Sequence, residues 1–199
     1  MTLESLRIER AFASLGPPLA VPVSPQGFRE PLLVAVSTDV ASVLGLEASE
    51  LERPEFAALV GGSWLAPGMS PVAMGYAGHQ FGAWVPQLGD GRALLLGEVV
   101  GADGTRWDLH LKGAGETPFS RRGDGRAVLR STVREFLASE AMHALGIPTT
   151  RALALVGARV PVQRETVEPA AMLLRVARSH VRFGSFEWLA SRQDVARLR

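Results

Sequence analysis

The chain has 199 residues, 47% of them hydrophobic and 21% charged, with a formal net charge of +1. This is the balance of an ordinary globular chain of one domain or one and a half, and it excludes a composition built for nucleic acid or an anionic membrane. No cysteine is present, which excludes disulfides, thiolate nucleophiles and cysteine-ligated metals and fits a reducing compartment.

Glu4, Arg7, Glu9 and Arg10 interrupt the N-terminal residues. Neither a secretory leader nor a spanning helix is expected there, and the expected location is cytoplasmic. Prolines crowd residues 1–72, which reads as an extension laid over another surface. Within it the patterns predict short helices at Leu3–Ala13, Ser37–Leu44 and Pro54–Val60, the last with proline at the well-tolerated first helical position.

From Tyr76 onward strands and tight turns take over. A strand is expected at 79–87, then a turn at Leu88-Gly89-Asp90-Gly91, then a strand at 92–100. An Asp-Gly hairpin loop is expected at 101–104. The return strand, 107–112, alternates, with Trp107, Leu109 and Leu111 on one face and Asp108, His110 and Lys112 on the other. A glycine-rich connector, 113–125, carries Arg121 and Arg122.

Ala127 to Leu145 has helical spacing, with Leu129, Val133, Phe136, Leu137, Ala141 and Leu145 on one stripe, ended by Gly146 and Pro148. Thr132 to Glu135 is either a capping box or helix interior. Two further strands are expected, 151–156 and 171–177, turning near Gly157. Residues 185–199 look like the start of a helix.

Twenty arginines accompany a single lysine, Lys112. A codon bias toward Arg explains the ratio, yet a site that needs a compact ammonium on a flexible stem would retain a lysine. The pentapeptide GDGRA occurs twice, at 89–93 and 123–127. Such turns either are ordinary Asp-Gly turns or let backbone amides wrap a phosphate, with the following arginine paired to it.

The order is a glycine turn between strands, a hairpin, a strand lysine and a helix with a carboxylate. That is the order in which kinases hold nucleotide phosphates. Glu135 is the first choice for the partner of Lys112 and Glu140 the second; an exposed helical glutamate is the alternative. Arg175 and Arg182 either bracket a polyphosphate or are surface cations over apolar neighbours. The four histidines show no metal-ligand spacing, and His79 and His180 read as structural.

YAGHQFG at 76–82, LGDGRA at 88–93, the run from Leu111 to Leu153 and RVARSHVRFGSFE at 175–187 closely resemble the selenoprotein O family. The likeness spans most of the chain from residue 70 and, more loosely, the proline-rich start. It implies a protein-kinase-like fold that binds ATP in a reversed orientation and transfers AMP to hydroxyl side chains of proteins. By the resemblance, Gly89, Gly91 and Arg92 form the first nucleotide turn, and Asp124 and Gly125 contact the nucleotide from the second. Lys112, Arg175 and Arg182 reach the phosphates, and Glu135 orients the lysine.

The resemblance places the catalytic base and the metal ligands beyond Arg199, so no catalytic or metal-ligating residue is expected within this sequence, which by itself is expected to bind nucleotide weakly, if at all, and not to turn over. The fold class expected is α+β. Residues 1–72 would be the extension, 73–178 a kinase-like N-lobe with an antiparallel sheet and one main helix, and 179–199 the start of a second lobe. The function implied for the whole protein is Mg²⁺- or Mn²⁺-dependent adenylylation of Ser, Thr or Tyr on protein partners. Transfer of the γ-phosphate and non-catalytic ATP binding are the rival readings. A dinucleotide-binding oxidoreductase is disfavoured, because neither GDGRA has the strand–GxGxxG–helix form.

Overall fold

A computed structural model describes residues 1–101 and 103–198. Ala102, in the expected hairpin loop, and Arg199, at the end of the expected last helix, lie outside the described residues. The first third of the chain supplies strands β1 (Ile8–Glu9), β2 (Ala20–Pro22) and β3 (Leu32–Val36) and helices α1 (Thr38–Val43) and α2 (Pro54–Val60). Next come β4 (Val72–Met74), β5 (Gly78–Gln80), β6 (Ala83–Val85), β7 (Ala93–Val100) and β8 (Arg106–Lys112). The remainder is β9 (Ala127–Val128), α3 (Leu129–Ala144), β10 (Arg151–Gln163), β11 (Val167–Ala177), α4 (Phe183–Ser191) and α5 (Val195–Leu198).

The class is α+β. Among the described residues nine strands form one antiparallel sheet in the order β2-β4-β7-β8-β11-β10-β3, with β1 added to β7 and β9 to β11, while β5 and β6 pair separately. Register divides the sheet's chemistry between its faces. Leu111 lies opposite Leu174 and Leu109 opposite Val176, and these side chains join the main core with Phe28, Phe56 and Leu59 from the first third of the chain. The alternate residues, His110 opposite Arg175 and Lys112 opposite Leu173, face the other way. Over that face lies α3, whose Leu129, Val133 and Phe136 pack on Ala152, Leu155 and Leu173. Among the described residues no helix is long and apolar enough to cross a membrane.

Several expected elements form where the sequence places them. Helix α1 starts at Ser37, whose hydroxyl accepts from the Val40 amide, and α2 starts on Pro54. Strands β7 and β8 match their runs. Five expectations need correction. Leu3–Ala13 is not a helix but a single tight turn at Leu3–Ser5 followed by β1. Glu98 on β7 accepts from the amides of Ala11 and Phe12 at 3.0 and 2.8 Å, and this long-range pairing wins over a helix too short to hold alone.

The expected strand at 79–87 folds back on itself as β5 and β6, turning at Phe81 and Gly82, both in the left-handed region at φ 52° and 78°. The turn expected near Gly157 lies instead between Gln163 and Val167, because Gly157 pairs with Ala171 inside a longer hairpin.

The helix expected over 127–145 gives up Ala127 and Val128 to β9. Thr132 lies inside it, its hydroxyl donating to the Val128 carbonyl at 2.9 Å, so no capping box forms. The sheet covers only half of the apolar stripe, and Leu137 and Leu145 remain 62% and 74% exposed. The last expected helix is broken between α4 and α5, where Gln193 has φ 56°.

Candidate functional site

An open cavity of about 770 Å³ lies between the two GDGR turns and the end of β8. Gly89, Gly91, Arg92, Lys112, Asp124, Gly125, Arg175 and Arg182 all line it, so every residue expected at the nucleotide is brought to one place. Among the described residues eight cations and two carboxylates, Asp90 and Asp124, line the cavity, in a chain whose net charge is +1. Such a concentration of one sign, in a concave site, attracts polyanions.

The first turn is held from behind. Thr117 donates its hydroxyl to the Asp90 carbonyl at 2.7 Å, and the Ser120 hydroxyl donates to the carbonyl of Gly91. Gly89 has φ 69°, and a Cβ there would sit 2.2 Å from the Phe119 ring. Only glycine fits both the angle and the contact. The second turn is tethered by the Gly115 amide, which donates to the Gly125 carbonyl at 3.1 Å. A Cβ on Gly125, φ 65°, would lie 2.0 Å from Gly115 backbone. The Asp124 carboxylate accepts from the Arg126 amide at 2.9 Å and from Arg164 at 2.7 and 3.0 Å. It therefore braces the turn.

Lys112 donates to Glu135 on α3, and the other Glu135 oxygen receives Arg175 Nη1 at 3.4 Å. Burial lowers the Lys112 pKa, with Arg175 and Arg92 acting in the same direction and Glu135 opposing them. Glu140, the second-choice partner, faces away from the lysine. It accepts from Arg151 at 2.6 and 2.9 Å, from the Ala152 amide at 3.2 Å and from Ser37. Its work is to fasten α3 to β10 and α1.

Behind the arginines runs a buried polar chain. Asp90 accepts His110 Nε2–H at 2.8 Å through one oxygen and meets Arg182 at 3.1 Å through the other. Burial opposes ionisation of Asp90, but His110, Arg182 and Arg175 together hold its pKa low. Arg182 also lies 4.3 Å over the Tyr76 ring and donates to the His180 carbonyl. His180, read as structural, stacks on His110 at 4.5 Å. His79, also read as structural, is exposed on β5, opposite Trp84.

Sequence reasoning left several cavity residues unassigned. Arg126 occupies in the second turn the place Arg92 occupies in the first, so the repeat itself pointed to it. Arg164 was hidden by the misplaced hairpin turn. Nothing in the sequence marked Asp90 and His110 as joined, because their contact is made across the sheet.

The donor set does not fit a resident metal. Among the described residues no group of three or more His, Asp or Glu side chains is arranged to hold one. Both cavity carboxylates are already engaged by arginines. What the cavity can do chemically is hold a polyphosphate with backbone turns, guanidinium groups and one ammonium.

The sequence model of the family described as "Protein adenylyltransferase SelO" matches residues 2–199. A protein described as "Protein nucleotidyltransferase YdiU" from Myxococcus xanthus is 59% identical over 187 residues, covering 94% of this chain and 38% of its own length. One of the same description from Thiobacillus denitrificans is 56% identical over 198 residues, 100% of this chain and 41% of that protein. The chain thus spans about two fifths of the length of these relatives. On this match, which covers nearly every residue, the chain belongs to the SelO protein adenylyltransferase family.

Proposed function

We propose that this chain is the ATP-binding lobe of a protein adenylyltransferase of kinase-like fold. In that division 1–72 is an extension wrapped on the lobe, 73–178 the lobe itself and 179–199 the start of a second. The whole protein, placed in the cytoplasm, would transfer AMP from ATP to Ser, Thr or Tyr hydroxyls of other proteins, using Mg²⁺ or Mn²⁺. The observation that carries this reading is the convergence of Lys112, braced by Glu135, with seven arginines on one cavity floored by two glycine turns.

In AMP transfer the acceptor oxygen bonds to the α-phosphorus, the bond from that phosphorus to the bridging oxygen breaks, and pyrophosphate leaves with the electron pair. Charge grows on the β and γ phosphates, where Lys112, Arg175 and Arg182 would stabilise it. Gly89, Gly91, Asp124 and Gly125 would shape the cradle, and Arg92 would add a further cation. The acceptor's proton must go to a base. Asp90 and Asp124 are bound to arginines, so the base and the metal ligands are assigned to the rest of the protein, and this chain alone is expected not to turn over.

Labelled ATP tests the reading in a full-length version. Label from the α-phosphate retained on protein supports AMP transfer. Retention of γ-label alone would replace it with phosphorylation, and binding without either label would leave an ATP-binding module.

A further inference from the structure

His110 is fully buried on β8, at a position facing the charged side of the sheet. An apolar residue would serve packing there, and a buried imidazole is costly unless both nitrogens are satisfied. Both are. Nε2 lies 2.8 Å from an Asp90 oxygen and Nδ1 lies 2.7 Å from Arg175 Nη2. A guanidinium has only donors, so Nδ1 must be the acceptor and the proton must be on Nε2, donated to Asp90. Burial pushes the His110 pKa down to about 3 despite the adjacent carboxylate, in keeping with that neutral form.

Arg175 depends on this contact. Among the described residues its Nε has no partner, its reach to Glu135 is long at 3.4 Å, and the 2.7 Å bond to His110 is its shortest. Asp90 completes the link, since its second oxygen holds Arg182. His180 covers the imidazole face, and its own amide is fixed by Asp108 at 2.6 Å. The groups facing His110 are therefore Asp90 from the first turn, Arg175 from β11 and His180 from the segment before α4.

We infer that His110 is a positioning residue, a two-sided hydrogen-bond bridge that ties the Arg175 guanidinium to the Asp90 turn and so aims Arg175 and Arg182 together at the phosphates. The inference rests on the proposed nucleotide reading. It adds that the two arginines act as one unit set from behind.

The test is calorimetry of the chain with inorganic tripolyphosphate, comparing wild type, His110→Phe and His110→Gln, with melting curves for each. Gln can donate to Asp90 and accept from Arg175, whereas Phe can do neither. Expected is a loss of affinity of at least about tenfold in His110→Phe and recovery to within about threefold of wild type in His110→Gln. A purely structural role would lower melting in step with affinity and give Gln no advantage. Equal affinity in wild type and His110→Phe, or a Gln variant as weak as Phe, would overturn the inference while leaving the phosphate site standing. A wild-type chain that ignores tripolyphosphate would remove that site and the inference with it. Should His110→Phe fail to fold, nitrogen NMR of the wild-type imidazole decides. A proton on Nε2 alone supports the bridge, and a proton on Nδ1 overturns it.

Discussion

Glu140 grips Arg151 through both carboxylate oxygens, at 2.9 and 2.6 Å, and this pair fastens helix α3 to strand β10 eleven residues along the chain. The helix that carries Glu135 is thereby fixed from its far end. Replacing Glu140 with Gln is expected to destabilise the chain by about 1–2 kcal/mol, as loss of charge-assisted hydrogen bonds in a half-buried setting does. The Arg151 hydrogen bonds outweigh burial and lower the Glu140 pKa. The contribution is thus present above the unfolded carboxyl pKa and is lost as pH falls through the folded value. Denaturant melts should show the difference between wild type and Glu140→Gln shrinking from about pH 6 to about pH 3.

Gly89 has a left-handed backbone pressed against Phe119. Gly89→Ala must strain the turn and displace the ring, and a loss of about 2–4 kcal/mol is expected from the two effects together. Thermal melting measures it. A variant as stable as wild type would mean the turn is not held against Phe119 as described.

Much of this was legible beforehand because it depends on short-range alternation. The period of two in 107–112 put His110 and Lys112 on one face, and the helical spacing after Ala127 put Glu135 within reach of it. The illegible parts are those decided at long range. Ile8 and Glu9 become a strand only because β7 offers Val99 and Glu98 as partners. Gly157 reads as a turn but is a strand residue because Ala171 pairs with it. Arg164 reached the cavity through that same hairpin extension, and the Asp90–His110 bond joins residues on separate strands and turns.

The cavity's excess of cations predicts a salt dependence. Its charges are partly open to solvent, so added ions screen them. Affinity for ATP is expected to fall at least about tenfold between roughly 0.05 and 0.5 M NaCl, while affinity for adenosine changes less than about twofold. Calorimetry at several salt concentrations checks this. Parallel behaviour of the two ligands would show that the phosphates are not what the arginines hold.

The most direct measurement is titration of ATP into the wild-type chain and into Lys112→Ala, with melting curves to show that both are folded. One ATP per wild-type chain, and an affinity at least about tenfold weaker in the variant, is the result expected from an ammonium placed on the phosphates by Glu135. Equal affinities in two equally folded proteins, or no binding by the wild type, would contradict it.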